Sequence, residues 1–261
     1  MKRRALVTGA ADRLGRAMAL SLAEMGFDVA VHYGSSKDAA LETVALINAK
    51  GCTAVAVQAD LLDMDKVEAL IPEATQALGG PFSVLINNAS IFEYDTLTSA
   101  TRKSWDRHMG SNFQAPFLLT QAFAAQAPEI GRDENDEPVA QAVVINMIDQ
   151  RVRKLTPEFM TYTLAKMGLW ALTQTSAQAL APAIRVNAIG PGPTIQGIRQ
   201  SDDHFSRQRA ATILERGSNP DEVTAAMEYL IKSPAVTGQL LCVDGGQHLG
   251  WKTVDVIGVE T

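Results

Sequence analysis

Seven short apolar runs alternate with longer helical patterns from one end of this chain to the other, and that alternation leaves few folds open. The runs lie at 4–8, 28–33, 53–58, 83–87, 142–147, 184–189 and 239–243. The helical stretches lie near 13–26, 37–50, 63–78, 101–127, 157–181 and 220–232. Strongly apolar strands joined by helices imply a parallel sheet covered on both faces. We therefore expect one α/β domain over 1–261, a doubly wound (Rossmann-type) seven-stranded parallel sheet with helices on both faces. With 261 residues, 46% of them hydrophobic, the chain can fill one such core. Sheets of this kind take their ligands in a crevice at the carboxyl ends of the strands.

Composition removes several function classes. The net charge is −6 and no block of Lys or Arg offers a footprint for nucleic acid. No apolar run approaches the ~20 residues of a membrane span. The basic start, Met1 to Arg4, leads into an apolar stretch too short for a signal peptide. Cys52 and Cys242 form no C-x-x-C motif and read as buried structural residues of a reducing, cytoplasmic protein. His32, His108, His204 and His248 lack metal-ligand spacing, so no metal site is expected. The acidic stretch 131–138 reads as a solvated loop, and the polar stretch 193–215 as a mobile substrate lid with a solvent-facing His204. A tail follows over 247–261.

The first strand meets the first helix through Thr8-Gly9-Ala10-Ala11-Asp12-Arg13-Leu14-Gly15. Gly9 permits a tight turn, Gly15 lets helix and strand pack closely, and the helix N-terminus presents free N–H groups to a pyrophosphate. NAD-binding sheets usually end their second strand in a carboxylate that meets the ribose 2′-hydroxyl. Here that strand ends His32-Tyr33-Gly34-Ser35-Ser36. Without the carboxylate a 2′-phosphate escapes repulsion, and His32, Ser35, Ser36 and Arg13 are candidate donors to it. NADP(H) is therefore the expected cofactor. Asp60 and Leu61 follow the third strand; Asp60 either meets the adenine amino group or caps the helix at 63–78.

Tyr162 and Lys166 carry the reaction type. Four residues apart on a helix, they share one face. An ammonium beside a phenol favours the phenolate, so Lys166 is expected to lower the Tyr162 pKa and fit it for proton transfer. The alternative is an ordinary half-exposed helix face.

These pieces together resemble the short-chain dehydrogenase/reductase family over nearly the whole chain. The matching motifs are Thr8-Gly9 through Gly15, Asn87-Asn88-Ala89, Asn112, Tyr162-x-x-x-Lys166, Arg185-Val186-Asn187 with Pro191-Gly192, and Asp244-Gly245-Gly246, all in family order. The resemblance implies catalytic roles for Tyr162, Lys166 and Asn112. It also implies cofactor contacts from Gly9, Arg13, Leu14, Gly15, Asn88, Ala89, Ser90, Tyr162, Lys166, Pro191, Gly192 and Thr194. Two departures matter. The middle glycine of the family's loop is Arg13, and its catalytic serine, thirteen residues before the tyrosine, is Asp149. Both departures, with His32-Tyr33 and Asn87-Asn88-Ala89-Ser90-Ile91-Phe92, resemble the pteridine reductase branch. In that branch the counterpart of Phe92 stacks on the pterin ring.

The resemblance thus implies a planar pterin held by Phe92, Ser90, Asp149 and Tyr162, and a homotetramer. The helix from 157 is apolar around more than one face, which fits burial on two sides. Pro116 lacks an N–H, so the Asn112 carbonyl is left to hold a water that links Lys166 to solvent, unless Asn112 caps a helix from 113. An ionised Asp149 only accepts hydrogen bonds, which suits substrate N–H donors and disfavours a ketone oxygen; burial would let it hold a proton instead. The rival readings are a carbonyl or 3-oxoacyl-thioester reductase and a non-catalytic dinucleotide-binding regulator.

Overall fold

The computed structural model describes residues 2–197 and 200–253. The main sheet contains β1 (Arg4–Val7), β2 (Asp28–Tyr33), β3 (Ala54–Gln58), β4 (Val84–Asn87), β7 (Ala142–Met147), β8 (Ile184–Pro191) and β9 (Leu240–Val243). Its spatial order is β3-β2-β1-β4-β7-β8-β9, and every pair is parallel. The helices are α1 (Arg13–Glu24), α2 (Lys37–Ala49), α3 (Met64–Leu78), α4 (Arg102–Met109), α5 (Ala115–Gln126), α6 (Met160–Ala179), α7 (Asp202–Ala210) and α8 (Pro220–Lys232). From β1 the chain builds outward through β2 to β3, then returns to lay β4 on the other side of β1. That reversal opens a crevice at the carboxyl ends of β1 and β4.

Strand periodicity explains the two covered faces. Ala5 and Val7 join one core with Met18 and Leu22 of α1 and Met227 and Leu230 of α8. Leu6, between them, joins the other with Leu70 and Ile71 of α3 and Leu119 and Phe123 of α5. Neighbouring strand residues point to opposite layers, and both layers are apolar, so these strands look continuous rather than alternating in sequence. Each large side chain so buried contributes roughly 1.5–3 kcal/mol. The Arg185-Val186-Asn187 motif is part of this scaffold. Buried Arg185 donates to the Leu230, Ile231 and Val236 carbonyls at 2.7–3.0 Å, which closes the C-terminal end of α8.

Several expectations change. The helix expected over 101–127 divides into α4 and α5 around a π-turn at Gly110–Gln114. The stretch 131–138 is exposed, but β5 (Gly131–Arg132) and β6 (Pro138–Val139) pair as a short antiparallel hairpin. The segment 193–215 carries helix α7, whose N-cap Ser201 accepts from the His204 N–H; Asp202 and Asp203 lie in its first turn and Arg207 and Arg209 in its last, each matching the helix dipole. Cys52 and Cys242 are partly exposed rather than buried, and unpaired. Residues 198 and 199 of the lid, and the tail beyond 253, lie outside the described residues.

Candidate active site

The glycine loop is tied down before any ligand arrives. Gly9 takes φ +62°, and a Cβ on Gly15 would lie 2.0 Å from the Gly9 carbonyl oxygen, so both positions require glycine. The Thr8 hydroxyl accepts the Asn88 and Ala89 N–H groups at 2.9 and 3.0 Å. The Asn88 side-chain amide donates to the Thr8 and Gly9 carbonyls at 2.8 and 3.1 Å. Asn88 and Ala89 thus hold the end of β4 against the loop. No side chain caps the N-terminus of α1 and its first turn carries no acid, so its N–H groups fit an anion such as a pyrophosphate.

His32 is not a phosphate donor. It is 2% exposed, and its Nδ1 accepts the Gly9 N–H at 3.0 Å. The ring proton therefore sits on Nε2, which donates to the Ala59 carbonyl at 3.1 Å. Burial, against a partial offset from Ala59, lowers its pKa from 6.5 to about 4. The reason is topological: β2 is an interior strand, so a side chain near its end points into the fold. Ser35 and Ser36 stand exposed at the turn, joined by exposed Lys37 at the start of α2. Lys37 supplies a cation that sequence reading missed by stopping one residue short.

Other expected contacts also serve the scaffold. Asp60 is exposed and accepts the Leu62 N–H at 3.0 Å; the cap of α3 is Asp63, whose side chain accepts from Lys66. Leu61 is buried. The Thr194 hydroxyl is engaged by the Gly192 carbonyl and Ser218. Arg13 holds φ +50°, a left-handed conformation unusual for a side-chain-bearing residue, and its guanidinium donates to the Ile195 and Gln196 carbonyls at 3.3 and 3.0 Å. It spans the crevice from the loop to the lid. Leu14 follows it into α1, partly buried.

Tyr162 and Asp149 meet directly. The Tyr162 hydroxyl donates to Asp149 Oδ2 at 2.9 Å, while Asp149 Oδ1 accepts the Arg151 N–H at 2.8 Å. Burial, then the Asp149 charge and its hydrogen bond, push the Tyr162 pKa well above its usual 10; Arg151 and the Ser90 hydroxyl oppose this weakly. The direction is opposite to the lowering expected from Lys166: burial and a carboxylate in contact outweigh an ammonium whose nitrogen lies 5.7 Å from the phenol ring centre. Burial also raises the Asp149 carboxyl, so this position can hold a proton. Lys166, 2% exposed, donates to the Met147 carbonyl at 2.8 Å, and burial lowers its pKa to about 8.

Asn112 caps nothing. It lies fully buried inside the π-turn, where its Oδ1 accepts the Ile91 N–H and its Nδ2 donates to the Ile91 carbonyl, both at 2.8 Å. This pair of bonds holds the irregular segment that carries Phe92. A second chain fixes the same segment to the start of α6. The Glu93 N–H donates to His108 Nε2, so His108 Nδ1 carries the proton and donates to the Thr161 hydroxyl, which donates to Asp95. His108, Thr161 and Asp95 are all buried, and sequence spacing gave no sign of their meeting.

Phe92 stacks on Phe159 with ring centres 4.3 Å apart and meets Tyr162 edge-on at 4.7 Å. A cleft of about 260 Å³ includes Phe92, Asp149, Tyr162 and Pro191-Gly192 on one side and Ile195 and Phe205 of the lid on the other. A hollow of about 410 Å³ against α4 contains neither Tyr162 nor Asp149, and we place the site in the smaller cleft. His204 is exposed.

Comparison with known proteins bears on the family and the cofactor. A family model described as enoyl-(acyl carrier protein) reductase matches residues 9–248. The 3-oxoacyl-[acyl-carrier-protein] reductase FabG of Staphylococcus aureus is 32% identical over 254 residues, covering 95% of this chain and 99% of that protein. The crystal structure of FolM alternative dihydrofolate reductase 1 from Brucella suis, in complex with NADP, is similar with a TM-score of 0.89 and 41% identity, covering 97% of this chain and 98% of that one. The Brucella canis protein, also complexed with NADP, gives a TM-score of 0.90 at 40% identity, with 97% of each chain covered. Fold, loop, Tyr162–Lys166 pair and relatives agree: the chain belongs to the short-chain dehydrogenase/reductase family of oxidoreductases.

Proposed function

We propose that the protein is an NADPH-dependent pteridine reductase. The observation that carries this reading is the hydrogen bond from Tyr162 to Asp149 at the position where the family's serine would serve a ketone. NADPH, when bound, supplies the hydride that goes to the substrate carbon. The N-terminus of α1 would hold its pyrophosphate, Ser35, Ser36 and Lys37 its 2′-phosphate, and Lys166 its ribose hydroxyls. Reduction of a C=N bond also needs one proton at nitrogen. Tyr162, kept protonated by burial and by Asp149, is the donor. Asp149 accepts a substrate N–H when ionised and supplies a proton when neutral. Phe92 lines the cleft as a flat wall for a heterocycle. Pro116 has no N–H to give back to the π-turn, and a water taking its place there would return the proton through Lys166.

The family's tetramer fits the exterior: Phe117 of α5 and Leu164 of α6 are 42% and 44% exposed, and light scattering should give four times the 28.0 kDa chain. A monomer in solution would remove that part of the proposal. The deciding assay follows NADPH oxidation with dihydrobiopterin, dihydrofolate and acetoacetyl-coenzyme A. Turnover of the pterins with little on the thioester is the expected result. Reduction of the thioester alone would replace the proposal with a 3-oxoacyl reductase, the activity named for the Staphylococcus aureus relative.

A further inference from the structure

The cleft is unbalanced in charge on its outer side. Among the described residues that line it, Asp149 is the single carboxylate, set against the guanidiniums of Arg13 and Arg151; the remaining polar lining includes four glutamine amides, Gln150, Gln200, Gln208 and Gln247. Arg13 is engaged with the lid carbonyls. Arg151 is different. Its backbone N–H bonds Asp149, while its side chain acts on that carboxylate only through charge: Nη1 donates to the Thr156 hydroxyl at 2.8 Å, and the guanidinium lies 4.8 Å from the centre of the Phe159 ring. Thr156 and Phe159 thus hold a guanidinium at the cleft wall, two residues from the proton-handling carboxylate, with most of its five donors still available. The chain runs on through Arg153 and Lys154, both exposed, which adds positive charge beyond the mouth.

A neutral bicyclic ring bound against Phe92 and Asp149 would leave this cation unused. An anionic group on a tail leading outward from the ring would use it. We propose that Arg151 receives a carboxylate of such a tail, so that the cleft selects folate-type, carboxylate-bearing pterins over bare pterins. This rests on the pteridine reading of the same site. The shared chemistry is an anion on an extended substrate, which the phosphates of an acyl thioester would also satisfy.

The test is the ratio of kcat/KM for dihydrofolate to that for dihydrobiopterin, measured for the native enzyme, Arg151→Gln and Arg151→Lys, with acetoacetyl-coenzyme A as a third substrate. Any disturbance of Asp149 affects both pterins and cancels in the ratio. Loss of one charge-assisted contact should lower the ratio about tenfold in Arg151→Gln, carried by KM for dihydrofolate. Arg151→Lys should restore most of it. An unchanged ratio overturns the assignment while leaving pteridine reduction intact. A larger fall with the thioester than with dihydrofolate also overturns it, in favour of phosphate recognition. A native enzyme that reduces neither pterin removes the parent reading and this inference with it.

Discussion

The nucleotide end and the catalytic end of the crevice hold similar polar residues and use them in opposite ways. At the nucleotide end, Thr8, His32 and Asn88 make their hydrogen bonds with main-chain groups of the loop, of Asn88 just past β4 and of Ala59 just past β3. At the catalytic end, Tyr162 and Asp149 bond to each other, and Lys166 makes one bond to a carbonyl. Side chains committed to the main chain on every side act as struts. Side chains paired with one another keep protons that can move. The difference lies in the partner, since burial is nearly complete at His32, Tyr162 and Lys166 alike.

The contrast breaks first at Tyr162. Tyr162→Phe removes the movable proton and should lower single-turnover NADPH oxidation by about 10²–10⁴-fold while NADPH still binds. A variant keeping more than a tenth of native turnover would show that the pair is structural after all.

At the nucleotide end the same treatment should change stability. The folded pKa of His32, about 4, lies below its unfolded value of 6.5. The unfolded chain therefore binds the proton first as pH falls, so the stabilisation is complete above pH 6.5 and disappears toward pH 4. The loss should reach about 3 kcal/mol. Denaturant midpoints measured from pH 7 to pH 4.5 should fall more steeply for the native protein than for His32→Asn. Parallel slopes would mean that His32 is no strut.

The smallest effect is expected at Phe92, where the interaction is stacking alone. Phe92→Ala should weaken pterin binding about 2- to 13-fold, from an aromatic term of roughly 0.5–1.5 kcal/mol, with NADPH affinity little changed. Titration by fluorescence quenching separates the two ligands, and equal losses for both would place Phe92 in the scaffold.

Most of the architecture was legible because apolar strands, glycine punctuation and helical periods are local signals. The pairing of Tyr162 with Lys166 was legible for the same reason. Its electrostatic direction was not, because complete burial and the contact with Asp149, two residues past β7, reach Tyr162 only through the fold. His32 misled for a related reason. On a strand buried from both sides, alternation no longer tells inside from outside, so a polar residue near its end looks like a ligand donor. The division of 101–127 was invisible because a π-turn continues a helical course with one residue more per turn. Lys37 stands one residue past Ser36 and is as legible as the serines beside it.

That extra residue has a consequence for how the chain can vary in length. In an unbroken α-helix each residue turns the axis by about 100°. Removing one residue from Gly110–Gln114 would shrink the wide turn to an ordinary α-turn, so α4 and α5 would run on as one regular helix in nearly their present register, whereas a deletion elsewhere in either helix would rotate everything downstream by about that angle. Leu119 and Phe123 would keep their places between α5 and the sheet, and the cost would fall on the turn itself, where Asn112 would lose its grip on Ile91. Substitutions on the outer face of this turn are cheap by comparison. Of the five turn residues only Gln114 is exposed and free to change letter, and a natural variant one residue shorter there would need a different way to hold Phe92.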